Sequence, residues 1–395
     1  MPKNLPIPIM NIALFITQPF NPTKGGVQRS TSKLAQIYKK NGHNVIVISL
    51  ANGEDASYKG IAIVSLGENI KNRAGLALKK VLQKNETQVI INQMGFSTGI
   101  THTLRKAASK QVKIINTLRI NPLNFVQNSS FLFWHYLVQR KIAFLYSPIW
   151  LAPLLVYHRI KQHLNHKYVL RHADAYVMLS EGFLKELSYF GIDEKKYAHK
   201  LFAISNPFEL PMNPPNWEEK GNVLLFVGRL NRTQKRVDLL MKIWKKLHPI
   251  LTDWQFWVVG NGPERQWMEQ YCKENQMDRV QFFGYTDPEP YYRKAKILHF
   301  TSAYEGFGNV LIEAQSFGVV PILFNSYSAA SEIINDAKDG ILIAPFEIDT
   351  FVKSTIDLLH SKTLLHKMSK TAVLNTNRFS FDRVGQNWED LFSKI

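Results

Sequence analysis

The run ILHFTSAYEGFGNVLIEAQSFGVVPILF, residues 297–324, holds a complete strand, turn, helix and second strand. The apolar stretch 297–302 has the length of a buried strand, 309–318 carries helical spacing, and 319–324 is again a short apolar run. Between the first strand and the helix lies Glu305-Gly306-Phe307-Gly308, a turn with an acid on its near side, and a second acid, Glu313, follows inside the helix. An acid placed on each side of a turn that opens a helix raises a functional question, and the surrounding sequence answers it.

The same alternation continues in both directions. Toward the amino end lie strand patterns at 222–228, 254–260 and 280–284 and an amphipathic helix at 236–248; toward the carboxyl end, 340–345 is another strand. A proline-rich break, SNPFELPMNPPNWEEKG at 205–221, precedes this half and reads as a hinge. Before the break the pattern occurs once more. Strands are expected at 11–17, 43–50, 87–93, 113–118 and 175–180, with a helix at 30–42. Strands alternating with helices predict parallel, doubly wound sheets. The expected fold is therefore α/β, with two Rossmann-like domains facing across a cleft. The boundaries read as 1–206, 207–378, and a C-terminal helix at 379–395 that packs back on the first domain.

The bulk composition fits. With 395 residues, 45% of them hydrophobic, two domains are the default. Lys and Arg number 49 against 31 Asp and Glu, a net charge of +18 that attracts anions: nucleic acid, acidic headgroups or phosphorylated substrates. Cys272 is the single cysteine, so no internal disulfide forms, which suits a reducing compartment. The start, MPKNLPIPIMNIALFI, reads as the lead-in to a buried strand and not as a signal peptide.

Residues 131–161 differ from the rest. Their longest uncharged part, 142–157, is shorter than the roughly 20 residues of a spanning helix and contains Pro148 and Pro153. Arg140 and Lys141 flank it on one side, with Arg159 and Lys161 on the other. Two readings stand: a membrane-interface insertion, or a buried pair of helices covering the sheet.

Three loops carry chemistry. GGVQRS, residues 25–30, joins the first strand to the first helix; Gly25 and Gly26 allow close backbone approach to an anion, or serve only as a structural turn. In FVGRLNRTQKRVDLL, residues 226–240, Arg229 follows a strand end and Lys235 precedes the next helix. Carboxyl ends of parallel strands are where such sheets bind ligands, and two cations there can clamp a diphosphate, although a solvated basic loop has the same composition. In the opening stretch, the amides of Gly308, Asn309 and Val310 begin the helix and can take phosphate oxygens. Glu313, about one turn in, is placed for ribose hydroxyls, and Glu305 for the group being transferred.

Taken together, these residues resemble a retaining glycosyltransferase of the two-Rossmann-domain, GT-B type, in the group 1 or family 4 class that includes sucrose synthases and many bacterial polysaccharide glycosyltransferases. The family's acid–seven–acid motif matches Glu305 and Glu313. Its phosphate clamp matches Gly228, Arg229, Leu230 and Lys235, and its amino-terminal glycine loop matches Gly25 and Gly26. SNPF at 205–208 and GNGPER at 260–265 are similar to its hinge entry and its Gly-x-Gly-Pro turn. The resemblance implies acceptor binding by 1–206 and nucleotide-sugar binding by 207–378. It places the nucleotide base on FFGYT, 282–286, with Gly284 and Tyr285, and the donor along Glu305, Gly306, Phe307, Gly308, Asn309, Val310 and Glu313.

One departure stands out. Many members carry a histidine after the fourth amino-terminal strand, where this chain reads KIINTLRINP with Arg119. Either arginine takes the role near the acceptor or transferred sugar, or the match is shifted by a residue or two. The family implies no cofactor and no obligatory metal, and the sequence has neither an Asp-x-Asp signature nor a His/Cys cluster of ligand spacing.

The implied activity is hexosyl transfer, with retention, from a nucleotide sugar to a saccharide acceptor, lipid-linked, in bacterial capsule, lipopolysaccharide or exopolysaccharide synthesis. Arg229, Lys235 and Glu305 are the catalytic candidates. UDP is the expected nucleotide, with GDP-mannose as the alternative donor. The implied location is cytoplasmic, at the anionic inner face of the membrane. A dehydrogenase is disfavoured because the G-x-G-x-x-G loop is missing. A nucleic-acid partner is disfavoured because no binding module accompanies the charge. A non-catalytic partner subunit of the same fold remains the rival reading, against which stand the four intact residues Glu305, Arg229, Lys235 and Glu313.

Overall fold

The computed structural model describes residues 8–22, 25–51, 55–67, 74–142, 144, 147–213 and 216–395. The first seven residues of the amino-terminal lead-in, positions 143, 145 and 146 of the 131–161 segment, and positions 214 and 215 of the proline-rich break lie outside the described residues. The chain divides into two units. One comprises Met1–Pro122, Ala152–Pro207 and Phe379–Ile395; the other comprises Leu123–Leu151 and Phe208–Arg378.

The first unit is built on an eight-stranded sheet. Its strands are β1 (Asn11–Ile16), β2 (Asn44–Ser49), β3 (Ala56–Tyr58), β4 (Ile61–Ser65), β5 (Val89–Asn92), β6 (Lys113–Leu118), β7 (Ala175–Met178) and β8 (Leu201–Ala203), in the order β3-β4-β2-β1-β5-β6-β7-β8. All pair in parallel except β3, which runs antiparallel to β4. β3, β4 and β8 were not expected from the sequence. β3 and β4 form a tight hairpin through Lys59 and Gly60, both at positive φ, the backbone that two-residue hairpin turns require. The helix Phe381–Phe392 belongs to this unit. Trp388 packs edge-on to Tyr38 at 5.7 Å, and Glu389 accepts from Asn41 Nδ2 at 2.6 Å.

The second unit carries six parallel strands: β9 (Val223–Val227), β10 (Gln255–Val259), β11 (Val280–Gly284), β12 (Ile297–Phe300), β13 (Val320–Phe324) and β14 (Ile341–Ile343). Their order is β11-β10-β9-β12-β13-β14, so the sheet is wound outward in both directions from β9 and β12. β9, β12 and β13 are buried along their whole length, which is why they read as unbroken apolar runs. The helix Val237–Leu247 buries Leu239, Leu240, Ile243, Trp244 and Leu247 in the core, and Trp244 meets Phe256 of β10 at 5.3 Å.

The segment 131–161, read from the sequence as part of the first domain, divides between the units. Residues Leu123–Leu151 group with the second. Phe131, on the helix Asn124–Gln139, has its ring 4.6 Å beneath the Arg236 guanidinium, and Gln127 and Asn128 line a cavity with residues 325–328 and 346. The rest of the segment runs through a short 3-10 turn, Pro148–Trp150, into the helix Leu151–His172. Many of its large apolar residues remain exposed, among them Trp134, Trp150, Val156, Tyr157 and Ile160, so it is not the wholly buried helix pair of the second sequence reading.

Candidate active site

In the second unit β9 and β12 lie side by side, and the winding of the sheet reverses between them. Loops leaving the carboxyl ends of two such strands must separate, and ligands bind in the gap. The loop after β9 carries Gly228, Arg229, Asn231, Gln234 and Lys235; the loop after β12 carries Thr301 to Glu305. Their ends meet. Lys235 Nζ lies 2.5 Å from Glu305 Oε1, and Gln234 Nε2 donates to Glu305 Oε2 at 3.1 Å. Each residue of the ion pair is only 8% exposed, so a buried carboxylate is held between two donors that fix its direction.

Backbone bonds keep both loops in register. Asn231 Oδ1 accepts from the amides of Lys235 at 2.9 Å and Gln234 at 3.3 Å. Thr301 Oγ1 donates to the Lys235 carbonyl at 2.8 Å, and the Ala303 amide to the Gln234 carbonyl at 2.7 Å. The GNGPER turn leans on the same strand end. A Cβ added to Gly260 would fall 1.9 Å from the Gly228 carbonyl oxygen, so only glycine fits there.

The helix Asn309–Ser316 opens from the second loop. Gly308 caps it with φ +106°, and a Cβ there would meet the Tyr327 hydroxyl at 2.5 Å. The first turn contains no acidic residue, so the positive end of the helix dipole is left to attract an incoming anion. Phe307 is buried at 4% exposure, and its position is therefore one of backbone and packing rather than of ring contact with a ligand. Glu313 is half-buried and accepts from the Tyr292 hydroxyl at 3.1 Å. Arg229 is exposed beyond the end of β9, and among the described residues its guanidinium has no partner. Gly284 ends β11 with φ +73° and accepts from the Gly260 amide at 2.7 Å; Tyr285 beside it is 74% exposed.

The remaining candidates belong to the first unit. Gly25 caps the helix Gly26–Lys40 with φ +71°, and no acid lies in that helix's first turn. Arg119 follows β6. Its Nε donates to Gln93 Oε1 at 2.8 Å and its Nη1 to Asn206 Oδ1 at 2.6 Å. Both partners are neutral. Burial pulls its pKa down to about 10, with the neighbouring Tyr38 opposing, and the guanidinium stays charged at neutral pH. Gln93 is positioned in turn by Thr117, and Asn92 and Asn116 bond each other at 2.6 Å. Two histidines elsewhere are held locally, His102 by Tyr168 and His135 by Gln139.

The second unit thus gathers Gly228, Arg229, Lys235, Glu305, Gly306, Gly308, Asn309, Val310 and Glu313 on two loops and the helix that follows. Sequence reasoning missed Gln234, Asn231, Tyr292 and Tyr327. Gln234 and Asn231 sit inside the motif already singled out; Tyr292 and Tyr327 carry no local signal. Among the described residues no group of three or more His, Cys, Asp or Glu gathers as a metal site.

A parallel sheet wound outward from β9 and β12, with a buried Lys–Glu pair and a glycine-capped helix at its carboxyl edge, is the arrangement in which open α/β sheets bind ligands. Comparison with known proteins names the family. Residues 208–374 match the family Glycosyl transferases group 1, and the chain carries a group 1 glycosyltransferase domain.

Among curated relatives is the GalNAc-α-(1→4)-GalNAc-α-(1→3)-diNAcBac-PP-undecaprenol α-1,4-N-acetyl-D-galactosaminyltransferase of Campylobacter jejuni. It is 25% identical over 338 residues, covering 82% of this chain and 89% of the relative. The lipopolysaccharide 1,6-galactosyltransferase of Salmonella typhimurium is 29% identical over 199 residues, 48% of this chain and 54% of that protein. The chain thus spans about half the length of some of the curated relatives it matches. Among solved structures, HepE from Anabaena in complex with UDP and glucose has a TM-score of 0.72 at 16% identity, covering 98% of this chain and 100% of that one. The fold is that of GT-B glycosyltransferases.

Proposed function

We propose that the protein is a retaining hexosyltransferase that moves a sugar from a UDP-sugar to a saccharide acceptor, lipid-linked, in bacterial surface-polysaccharide synthesis. The observation that carries the proposal is the buried Lys235–Glu305 pair at the ends of β9 and β12, with the exposed Arg229, unpartnered among the described residues, and the glycine-capped helix Asn309–Ser316. Cleavage of the sugar–phosphate bond leaves negative charge on the diphosphate and positive charge on the sugar. Lys235 and the amides of the helix end receive the diphosphate charge from positions set in advance, and Arg229 adds a second side-chain cation. Glu305, oriented by Lys235 and Gln234, accepts hydrogen bonds from sugar hydroxyls and aligns the donor. The acceptor hydroxyl attacks on the face that the diphosphate leaves, which gives retention. No metal or cofactor enters the proposal. The uridine nucleotide is supported by HepE, solved with UDP and glucose, and the lipid-linked acceptor by the diphospho-undecaprenol saccharide in the Campylobacter enzyme's name.

UDP and UDP-sugars should raise the melting temperature by several degrees at saturating concentration, more than GDP and its sugars do, because a ligand bound only to the folded state stabilises it by mass action. Slow release of UDP from the productive UDP-sugar is expected in the same samples. If no nucleotide shifts melting and none is hydrolysed, the reading is wrong.

We place the protein at the inner face of the cytoplasmic membrane. The support is the net charge of +18 together with the helix Leu151–His172, which exposes Val156, Tyr157, Ile160 and Leu164 as one stripe beside the exposed Arg159 and Lys161. Among the described residues no helix is long and apolar enough to cross a membrane. Sedimentation with vesicles should show binding to anionic but not neutral lipid, weakening as salt rises. Equal partitioning onto both, or none, refutes the electrostatic anchor.

A further inference from the structure

The second unit contains a cavity of about 430 Å³ that the donor residues do not line. Its walls come from two helices and the turns that follow β13 and β14. Gln127 and Asn128 lie on the helix Asn124–Gln139, Asn325, Ser326 and Ser328 follow β13, and Phe346 follows β14. The volume lies in the roughly 300–1,000 Å³ range of small-molecule sites.

The lining is chemically distinctive. In a chain of net charge +18, no acidic or basic side chain faces this cavity. Amides and hydroxyls do, and each can both donate and accept. Asn128 gives its amide nitrogen to the Asn124 carbonyl at 2.9 Å, which leaves its oxygen as an acceptor. Gln127 is exposed, and among the described residues its side-chain amide has no partner. Pro345 and the half-buried Phe346 supply an apolar wall.

That wall is built at a cost. Phe346 holds φ +68°, a conformation that a bulky side chain rarely adopts. The ring is kept there by the Arg236 guanidinium at 4.9 Å and by Phe324, edge-on at 5.7 Å. Arg236 is itself at φ +49° and is tied to Asp238 by two bonds of 3.1 and 3.0 Å. Two strained residues thus support one aromatic surface.

Tyr327 connects the cavity to the donor side. It lines the cavity, yet its hydroxyl lies against Gly308 at the cap of the helix Asn309–Ser316. That hydroxyl is buried, with no partner among the described residues. Burial, and then the charge of Glu305, push its pKa well above the usual tyrosine range, so it is a permanent O–H donor.

We propose that this cavity is a subsite for a neutral hexose or N-acetylhexosamine of the acceptor saccharide, held by Gln127, Asn128 and Ser328 against the Phe346 ring. The inference rests on the glycosyltransferase reading. A sugar ring presents hydroxyls around its edge and C–H groups on its faces, and the amides and hydroxyls meet the first while the aromatic wall meets the second. A phosphate or carboxylate would enter with no cation to receive it.

The test is saturation-transfer NMR on the full chain, with the methyl α-glycosides of glucose, galactose and N-acetylgalactosamine, and with glucose 1-phosphate for comparison. At least one neutral glycoside should bind wild type at concentrations of about 10 mM or below. Its affinity should fall at least fivefold in both Gln127→Leu, an exposed helix position, and Phe346→Gly, which relieves the backbone strain; melting curves verify that both are folded. Absence of glycoside binding in wild type, wild-type affinity in both variants, or tighter binding of glucose 1-phosphate overturns the proposal. UDP protection against heat, measured on the same wild-type samples, judges the donor reading separately. Glycosides that bind without UDP protection refute that reading alone, and UDP protection without glycoside binding refutes the subsite alone.

Discussion

Replacing Lys235 with alanine should lower sugar transfer by about 10²–10³-fold, equivalent to about 2.7–4 kcal/mol of lost transition-state stabilisation. Two effects combine. The diphosphate loses one of its two side-chain cations, and Glu305, 2.5 Å away and buried, loses the partner that orients it. Removing one member of a buried pair also leaves an uncompensated charge, at a stability cost of about 3–5 kcal/mol, so the melting temperature should fall as well. The double variant Lys235→Ala with Glu305→Gln should recover part of that melting temperature without recovering activity. Arg229→Ala gives the cleaner measurement. Its side chain is exposed and unpartnered among the described residues, so melting should stay at the wild-type value while transfer falls by a comparable factor. Near wild-type turnover in both single variants would move the diphosphate site elsewhere.

The two glutamates should separate binding from turnover. Glu305→Gln keeps the shape of the side chain but removes the charge that Lys235 and Gln234 hold in place. Free UDP should bind it almost as it binds wild type, while transfer falls by about two orders of magnitude or more, the scale seen when a preorganised charge contact is lost. Glu313 accepts from Tyr292 on the far side of the first helical turn. Glu313→Ala should weaken free UDP and UDP-sugar alike, through the lost hydrogen bonds to ribose, by about 1.5–3 kcal/mol. Calorimetry with UDP on both variants, beside a transfer assay, decides the matter. Equal losses of UDP affinity, or normal transfer by Glu305→Gln, would reduce the two acids to helix capping and packing.

Arg119 shows where a motif match stops. The family resemblance implies a histidine where the sequence has Arg119. The structure holds that arginine between Gln93 and Asn206, 26 and 87 positions away. Asn206 lies in the SNPF stretch at 205–208, but no local pattern pairs it or Gln93 with Arg119, and the fixed direction of the guanidinium comes from both.

What the sequence determined by itself was local. Strand–helix alternation, glycine at turns that need positive φ, and the unbroken apolar runs of β9, β12 and β13 are written within a few residues of one another, because backbone periodicity and turn chemistry act over that range. The loops bearing Arg229, Lys235, Glu305 and Gly308 were therefore legible. The strands β3, β4 and β8 were not: they lie at or next to the edges of the sheet and are only partly buried, so they lack the fully buried apolar run of a central strand. What only the tertiary structure decided was long-range. Lys235 and Glu305 are 70 positions apart and meet because β9 and β12 became neighbours in the sheet. Residues 123–151 group with the second unit, where Phe131 lies against Arg236 and Gln127 and Asn128 face residues near 326 and 346. The neutral cavity exists because a helix at 124–139 and turns near 326 and 346 converge on it. Pairings of that kind depend on strand order and on the burial it produces, and no local stretch of sequence encodes them.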